Sequence, residues 1–136
     1  MIAIEESTIH LTRGDATQDT YNILAFNFPI YNFATKQEEN YKFQLDDKIT
    51  FVVMNKKGYR KEEILRKSYT PRELGYTEPT EVLELPLTSK DTKKFPLSDK
   101  AQTYWYDLIL NDNTTMLGFD NEGAKKIIIY PEAGEE

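Results

Sequence analysis

Apolar residues in this chain never run beyond four in succession, and turn-forming Gly, Pro, Asn and Asp separate the runs. The runs are rich in Ile, Val, Phe, Tyr and Thr. Short segments of β-branched and aromatic residues suit a pleated, half-buried surface, whereas a helix needs a longer apolar stripe with a period near 3.6. The same brevity is incompatible with a helix across a bilayer, which takes about 20 apolar residues. Nine Tyr and seven Phe supply bulk for one core in a chain of 136 residues, and apolar segments recur along its whole length. The expectation is therefore an all-β protein with a single domain over residues 1–132 and a flexible tail at 133–136.

Eight strands are expected. Residues 4–12 put Ile9 and Leu11 on one face and Thr8, His10 and Thr12 on the other, before Arg13-Gly14-Asp15 breaks the strand. Residues 21–30 are apolar on both faces, as suits a strand central in its sheet, and end at Pro29. The polar stretch 36–40 reads as a loop. A turn at 45–48 leads into 49–54 (ITFVVM), and 55–58 reads as a hairpin loop. Residues 61–69 tolerate a helix, although a strand pairing back onto 49–54 fits the hairpin better, and 71–79 form an excursion loop. Residues 81–87 alternate, with Leu83 and Leu85 together and Val82 apart. Residues 88–99 are polar, with Phe95 and Leu97 as anchors of a short turn or a single helical turn. In 102–110 (QTYWYDLIL), Tyr104, Tyr106, Leu108 and Leu110 share a face, and Trp105 and Ile109 flank Asp107 on the other. Asn111-Asp112-Asn113 turns the chain into 114–119, and 125–130 is the last strand. About eight such strands with little helix imply an antiparallel sandwich or barrel.

Composition narrows the chemistry. The chain has no Cys and one His, so thiolate zinc sites and thiol catalysis are excluded, and His10 is the sole imidazole base available. Its placement with Thr8 and Thr12 reads as a sheet-surface histidine. A net charge of −6 without a basic block argues against binding nucleic acid. Lys56, Lys57, Arg60, Lys61, Arg66 and Lys67 cluster modestly, but Glu62 and Glu63 dilute them. Asp46, Asp47, Asp112, Asp120 and Glu122 lie in turns where calcium is conceivable, yet no spaced ligand loop is present. The expectation is no catalytic residue, no metal and no cofactor. Residues 1–6 lack the plan of a signal peptide, which suggests a soluble protein made in the cytoplasm and not bound to membrane. Arg13-Gly14-Asp15 also spells an adhesion tripeptide, a match too short to weigh.

In order along the chain, five landmarks resemble small phage structural domains, including the N-terminal domain of the baseplate upper protein family. Residues 9–17 (IHLTRGDAT) resemble its opening strand and turn. Residues 45–53 (LDDKITFVV) resemble a later strand, with Asp46 where Gly is usual. Residues 83–92 (LELPLTSKDT), residues 104–110 (YWYDLIL) and the closing hairpin and last strand, 114–118 and 127–132, complete the series. The long stretch 60–81 departs from that pattern. The resemblance implies an immunoglobulin-like antiparallel β-sandwich of about eight strands. It also implies a non-catalytic structural or docking role in a virion baseplate, tail or fibre, with other phage structural proteins or further copies of the chain as partners.

The residues themselves suggest where such a domain is braced. Arg13 and Asp15 bracket a Gly at a strand exit, where a carboxylate holds a turn by accepting backbone N–H groups. Asp91 and Thr92 read as a turn cap. Asp107, a charge between aromatics, needs a partner, and Arg13 or loop backbone is expected to supply it. Tyr21, Phe26, Phe28, Tyr104, Trp105 and Tyr106 could form an interface, although burial within central strands is the plainer account. The alternative function is a carbohydrate- or receptor-binding sandwich that stacks sugars on Trp105 and exposed Tyr residues.

Overall fold

The computed structural model describes residues 2–5, 8–19, 22–55, 62–115 and 125–132. The protein is mainly β. Its first half contains β1 (Ile2–Glu5), β2 (Thr8–Thr12), β3 (Gln18–Asp19), β4 (Asn22–Ile23), β5 (Ala25–Phe26), β6 (Pro29–Asn32), β7 (Gln37–Asn40) and β8 (Ile49–Met54). Then come β9 (Glu63–Tyr69), β10 (Leu83–Glu84), the short helix α1 (Ser89–Thr92), β11 (Gln102–Leu110), β12 (Thr114–Thr115) and β13 (Lys126–Tyr130).

One large sheet carries the fold, in the order β1-β2-β13-β11-β8-β9, with β12 also paired to β11. Its centre is the antiparallel pair β8–β11, in register from Leu110 opposite Ile49 to Trp105 opposite Met54. All six residues of β8 are buried, so both faces of the sheet are covered there. On one face Ile9, Leu11, Ile127, Ile129, Tyr104, Tyr106, Leu108, Leu110, Ile49, Phe51, Val53 and Leu65 line up across five strands. Cross-strand pairs such as Tyr106–Val53 and Leu108–Phe51 bring these side chains into direct contact range. Against that face pack Leu24, Phe26, Phe28, Leu83, Leu85 and Leu87 from the β5–β10 ribbon and the residues that flank it, and Phe43 from an isolated bridge to Thr80. Phe26, Phe51 and Tyr106 form a ring cluster with centroids 5.7–5.9 Å apart. On the opposite face Val52, Met54 and Ile109 form a smaller cluster against Trp105.

Several expectations need correcting. Residues 4–12 are not one strand: β1 and β2 make a hairpin, with Ile4 opposite Ile9. The segment 22–30 is no central strand of the large sheet. It breaks into β4, β5 and the start of β6 as its pairing partner changes from β3 to β10 to β7, with Leu24, Phe26 and Phe28 inward and Ile23 exposed. Pro29 opens β6 instead of ending a strand, a position where its missing N–H costs little. The polar stretch after it is a strand, β7, paired with β6 from Pro29–Asn40 to Asn32–Gln37. In the segment 81–87 only Leu83 and Glu84 are strand, although Leu85 continues the contact by donating its N–H to Leu24 O at 2.8 Å.

The large sheet is also not purely antiparallel, since β13 runs parallel to β2 with Ile127 opposite Ile9. Residues 63–69 are strand, as the hairpin reading required, with a register shift between Val53 and Met54. The expected loop at 55–58 lies largely outside the described residues, and so do residue 21 and all but the first two residues of 114–119. Phe95 is an anchor, its ring tilted against that of Tyr104 at a centroid distance of 5.2 Å. Leu97 is not; it is 70% exposed.

Truncating a ring in the cluster should leave a cavity. Phe51→Ala is expected to cost about 3–5 kcal/mol, and the exposed Phe33→Ala under about 0.5 kcal/mol. Urea unfolding of both variants checks this; equal losses would mean that the rings do not organise the core.

Candidate functional site

The turn that leaves β2 is tied to three other parts of the chain. Gly14 has φ +89°, and a Cβ there would lie 3.1 Å from Glu132 Cδ, so the turn conformation and the close approach both call for glycine. Gly14 N–H donates to Thr92 Oγ1 at 2.9 Å. The Thr92 hydroxyl donates in turn to Asp15 O at 2.9 Å, with Ser89 O as a second acceptor at 3.1 Å. The Arg13 guanidinium donates to Phe95 O at 2.7 Å and Lys93 O at 2.9 Å, and it forms an ion pair with Glu132 beyond β13. Arg13 N–H is bonded to Tyr130 O at 3.0 Å. One step further, buried Thr17 accepts from Leu87 N–H at 2.7 Å and donates to Leu85 O at 2.9 Å. An arginine committed in this way is not displayed for an adhesion receptor.

Helix α1 explains why Asp91 and Thr92 stand together. Thr88 caps it: Asp91 N–H donates to Thr88 Oγ1, and Thr88 N–H donates to Asp91 Oδ2 at 3.0 Å, which is a capping box. Lys67 of β9 adds an ion pair to Asp91 at 3.2 Å. Burial pushes the Asp91 carboxyl up. The N–H of Thr88, the Lys67 ammonium and the Thr88 hydroxyl outweigh that and hold it below the ordinary aspartate range. Of the residues singled out by sequence, the fold thus brings Arg13, Gly14, Asp15, Asp91 and Thr92 to one corner.

Asp107 is not among them. Its ion-pair partner is Lys125, with Nζ 3.3 Å from Oδ1, and Arg13 is engaged at the corner instead. Lys125 precedes β13, which lies beside β11, and its O accepts from Tyr106 N–H at 2.8 Å, so register alone delivers it next to Asp107. The aromatics considered for an interface fare differently. Phe26, Phe28, Tyr104 and Tyr106 are buried in the core, Trp105 is partly buried against Val52 and Met54, and Tyr21 lies outside the described residues. Burial takes the first four away from any contact surface.

His10 Nδ1 lies 2.8 Å from Tyr130 OH, and the rings stack at 5.9 Å. The turn carboxylates are each engaged. Asp46 accepts from Arg72, Asp47 from Tyr41, Gln44 N–H and Asn111 Nδ2, and Asp112 from Lys48. Burial and the Asp47 hydrogen bond push the Tyr41 hydroxyl up to about 12. Among the described residues no group of three or more His, Asp and Glu is arranged to hold a metal ion. Asp120 and Glu122 lie outside those residues. A groove of about 520 Å³ runs past the corner, lined by Arg13, Leu97, Ser98, Asp99, Pro131 and Glu132.

The exposed aromatics are ones that sequence reasoning passed over. Tyr31 and Phe33 stand at the end of the β6–β7 ribbon, ring centroids 4.8 Å apart at 76°, with Phe33 84% exposed. The signal was available, because both sit in a polar, turn-rich context (YNFATK) in which no partner strand was expected. No family model matches the chain, and no significant match was found among curated proteins or solved structures.

Two outcomes are expected at the corner. Thr92→Val should cost about 2 kcal/mol, since it strands the Gly14 N–H, while Thr92→Ser should cost under about 1 kcal/mol; thermal unfolding reads both. Asp91→Asn should be less stable than the parent at neutral pH. The folded carboxyl titrates below its unfolded value, so its contribution is present above about pH 4 and is lost as pH falls through the folded pKa. Stability curves of the two proteins should therefore converge in acid, and a gap that persists at the lowest pH would contradict this.

Proposed function

We propose that this chain is a non-catalytic structural module of a phage particle, docking or assembling in the baseplate, tail or fibre, and that its fold is an immunoglobulin-like sandwich. In that arrangement β8, β11 and β13 take the places of strands C, F and G, β9 that of C′, and the β5–β10 ribbon those of B and E on the facing layer. The placement of β5 and β10 residues across the core from β8 and β11 supports the assignment.

The observation that carries the functional reading is the corner. Residues of two separate landmarks of the phage-domain resemblance, at 13–15 and at 91–92, meet through the Thr92 hydroxyl and the Gly14 N–H. Those polar groups are committed to bracing backbone, which is the work of a scaffold. His10 likewise stacks and bonds within the fold, on Tyr130. An acidic surface, from a net charge of −6, keeps such a module apart from its own copies before assembly.

A carbohydrate- or receptor-binding sandwich is the second reading, and the exposed Tyr31–Phe33 pair is the observation in its favour. Its two rings meet edge to face, whereas a sugar-stacking platform presents ring faces side by side. Mass spectrometry of purified particles from the producing strain, with immunogold labelling, tests the first reading. The chain is expected in the particles with label on the tail or its tip. Absence from particles, together with specific hits on a glycan array, would replace it with the second.

A further inference from the structure

The β6–β7 ribbon stands apart from the large sheet. Among the described residues β7 pairs with β6 alone, so its outer row of backbone N–H and C=O groups is left for another strand. Every residue of β7 is exposed. Tyr31 lies directly opposite Glu38 in the register, which sets both on one face of the ribbon, and Phe33 joins that face through its ring contact with Tyr31. Glu39 points to the other face, where Asn32 Nδ2 donates to it at 3.0 Å. The Asn32 side chain also accepts from Ala34 N–H at 2.9 Å, and Lys36 N–H bonds back to Asn32 O at 2.8 Å, so the tip bearing Phe33 is a built turn.

We infer that the β6–β7 hairpin is a docking arm for an extended, basic segment of a partner protein, which adds to β7 as a strand and lays an arginine side chain across Glu38 onto the Tyr31 and Phe33 rings. Backbone pairing along an open edge supplies affinity, and side-chain contacts beside it supply specificity. An exposed ring pair next to a carboxylate suits a guanidinium, which gains from the ring faces and from the charge-assisted hydrogen bond together. The inference rests on the docking reading above and names its contact element and the chemistry of its partner.

Charge decides among occupants. The middle of the edge carries Glu38 and Glu39, while Lys36 and Lys42 bracket it, so a matching strand needs its cations at the centre. A second copy that paired all four residues of β7 antiparallel would set Glu38 against Glu39 twice, and like charges directly opposite are destabilising. The crossed rings offer a sugar no flat double platform.

Titration of the isotopically labelled full chain with a Thr-rich decapeptide that carries two Arg at its centre, followed by amide NMR shifts, tests the arm. The same decapeptide with two Glu in place of the Arg is the control. Saturable shifts confined to residues 29–40 are expected with the first peptide and none with the second. Glu38→Lys and Phe33→Ser should each weaken binding about tenfold, which is about 1.4 kcal/mol, with melting temperature unchanged.

Shifts that gather instead around Asp46 and Asp112, a response that never saturates, or binding by both variants as tight as the parent's would overturn the inference. So would a concentration-dependent dimer that the same variants abolish, which would make the occupant a second copy, or glycan binding that they abolish. The two proposals fail separately. A positive titration stands if the chain is missing from particles, and a negative one removes the hairpin's role while the chain's presence in particles stands.

Discussion

The pairing of β8 with β11 is the constraint on which the remaining structure depends. Six consecutive cross-strand pairs place Ile49, Phe51 and Val53 on one face beside Tyr106, Leu108 and Leu110. The alternate residues Val52 and Met54 go to the other face, with Ile109 and Trp105. A slip of one residue would exchange these two sets and bring Asp107 to the core side. Because β8 is buried on both faces, neither set tolerates the exchange. The register of β13 follows from β11, that of β2 from β13, and β9 is fixed on the far side of β8.

From that sheet the polar corner follows. The parallel run of β2 beside β13 delivers the exit of the one strand and the exit of the other to the same end, so Arg13 reaches Glu132 and Tyr130 O. Phe95, held on Tyr104 of β11, brings the segment after α1 to the same place and offers its carbonyl to Arg13. Backbone groups that would otherwise lose hydrogen bonds on burial find Thr17, Thr92 and the guanidinium as partners. Side chains occupied in this manner serve rigidity. Among the described residues the exposed ring pair Tyr31–Phe33 lies away from the corner, on the β6–β7 ribbon.

The sequence was most legible where burial is strongest. β8 and β11 were expected with the bounds they have, and the division of β11 into a Tyr104/Tyr106/Leu108/Leu110 face and a Trp105/Asp107/Ile109 face holds. Both are strands whose alternation is dictated by two different apolar environments. β7 was illegible because Gln-Glu-Glu-Asn has no alternation; its extended form comes from pairing with β6, which local propensity cannot see. The segment from 22 to 30 misled for the opposite reason. It is apolar enough for a central strand, but Phe26 and Phe28 pack across the core from the large sheet, and the segment pairs in turn with β3, β10 and β7.

The corner divides in the same way. Gly beside Asp after an alternating strand identifies a turn, and Asp91-Thr92 reads as a cap, because both motifs act within a few residues of chain, although the structure puts the N-cap itself at Thr88. That the two meet, that Arg13 takes Glu132 and not Asp107, and that Lys125 takes Asp107 required the parallel pairing of β2 with β13 and the position of β13 beside β11. Alternation, turn chemistry and the lack of Cys are properties of neighbouring residues or of composition, so the chain alone determined its strand-rich character, its core face and its turns. Which charges pair, which strand lies parallel and which aromatics stay in solvent depend on residues up to 119 positions apart. Only the packed sheet brings such residues within reach of one another, and only the tertiary structure decided them.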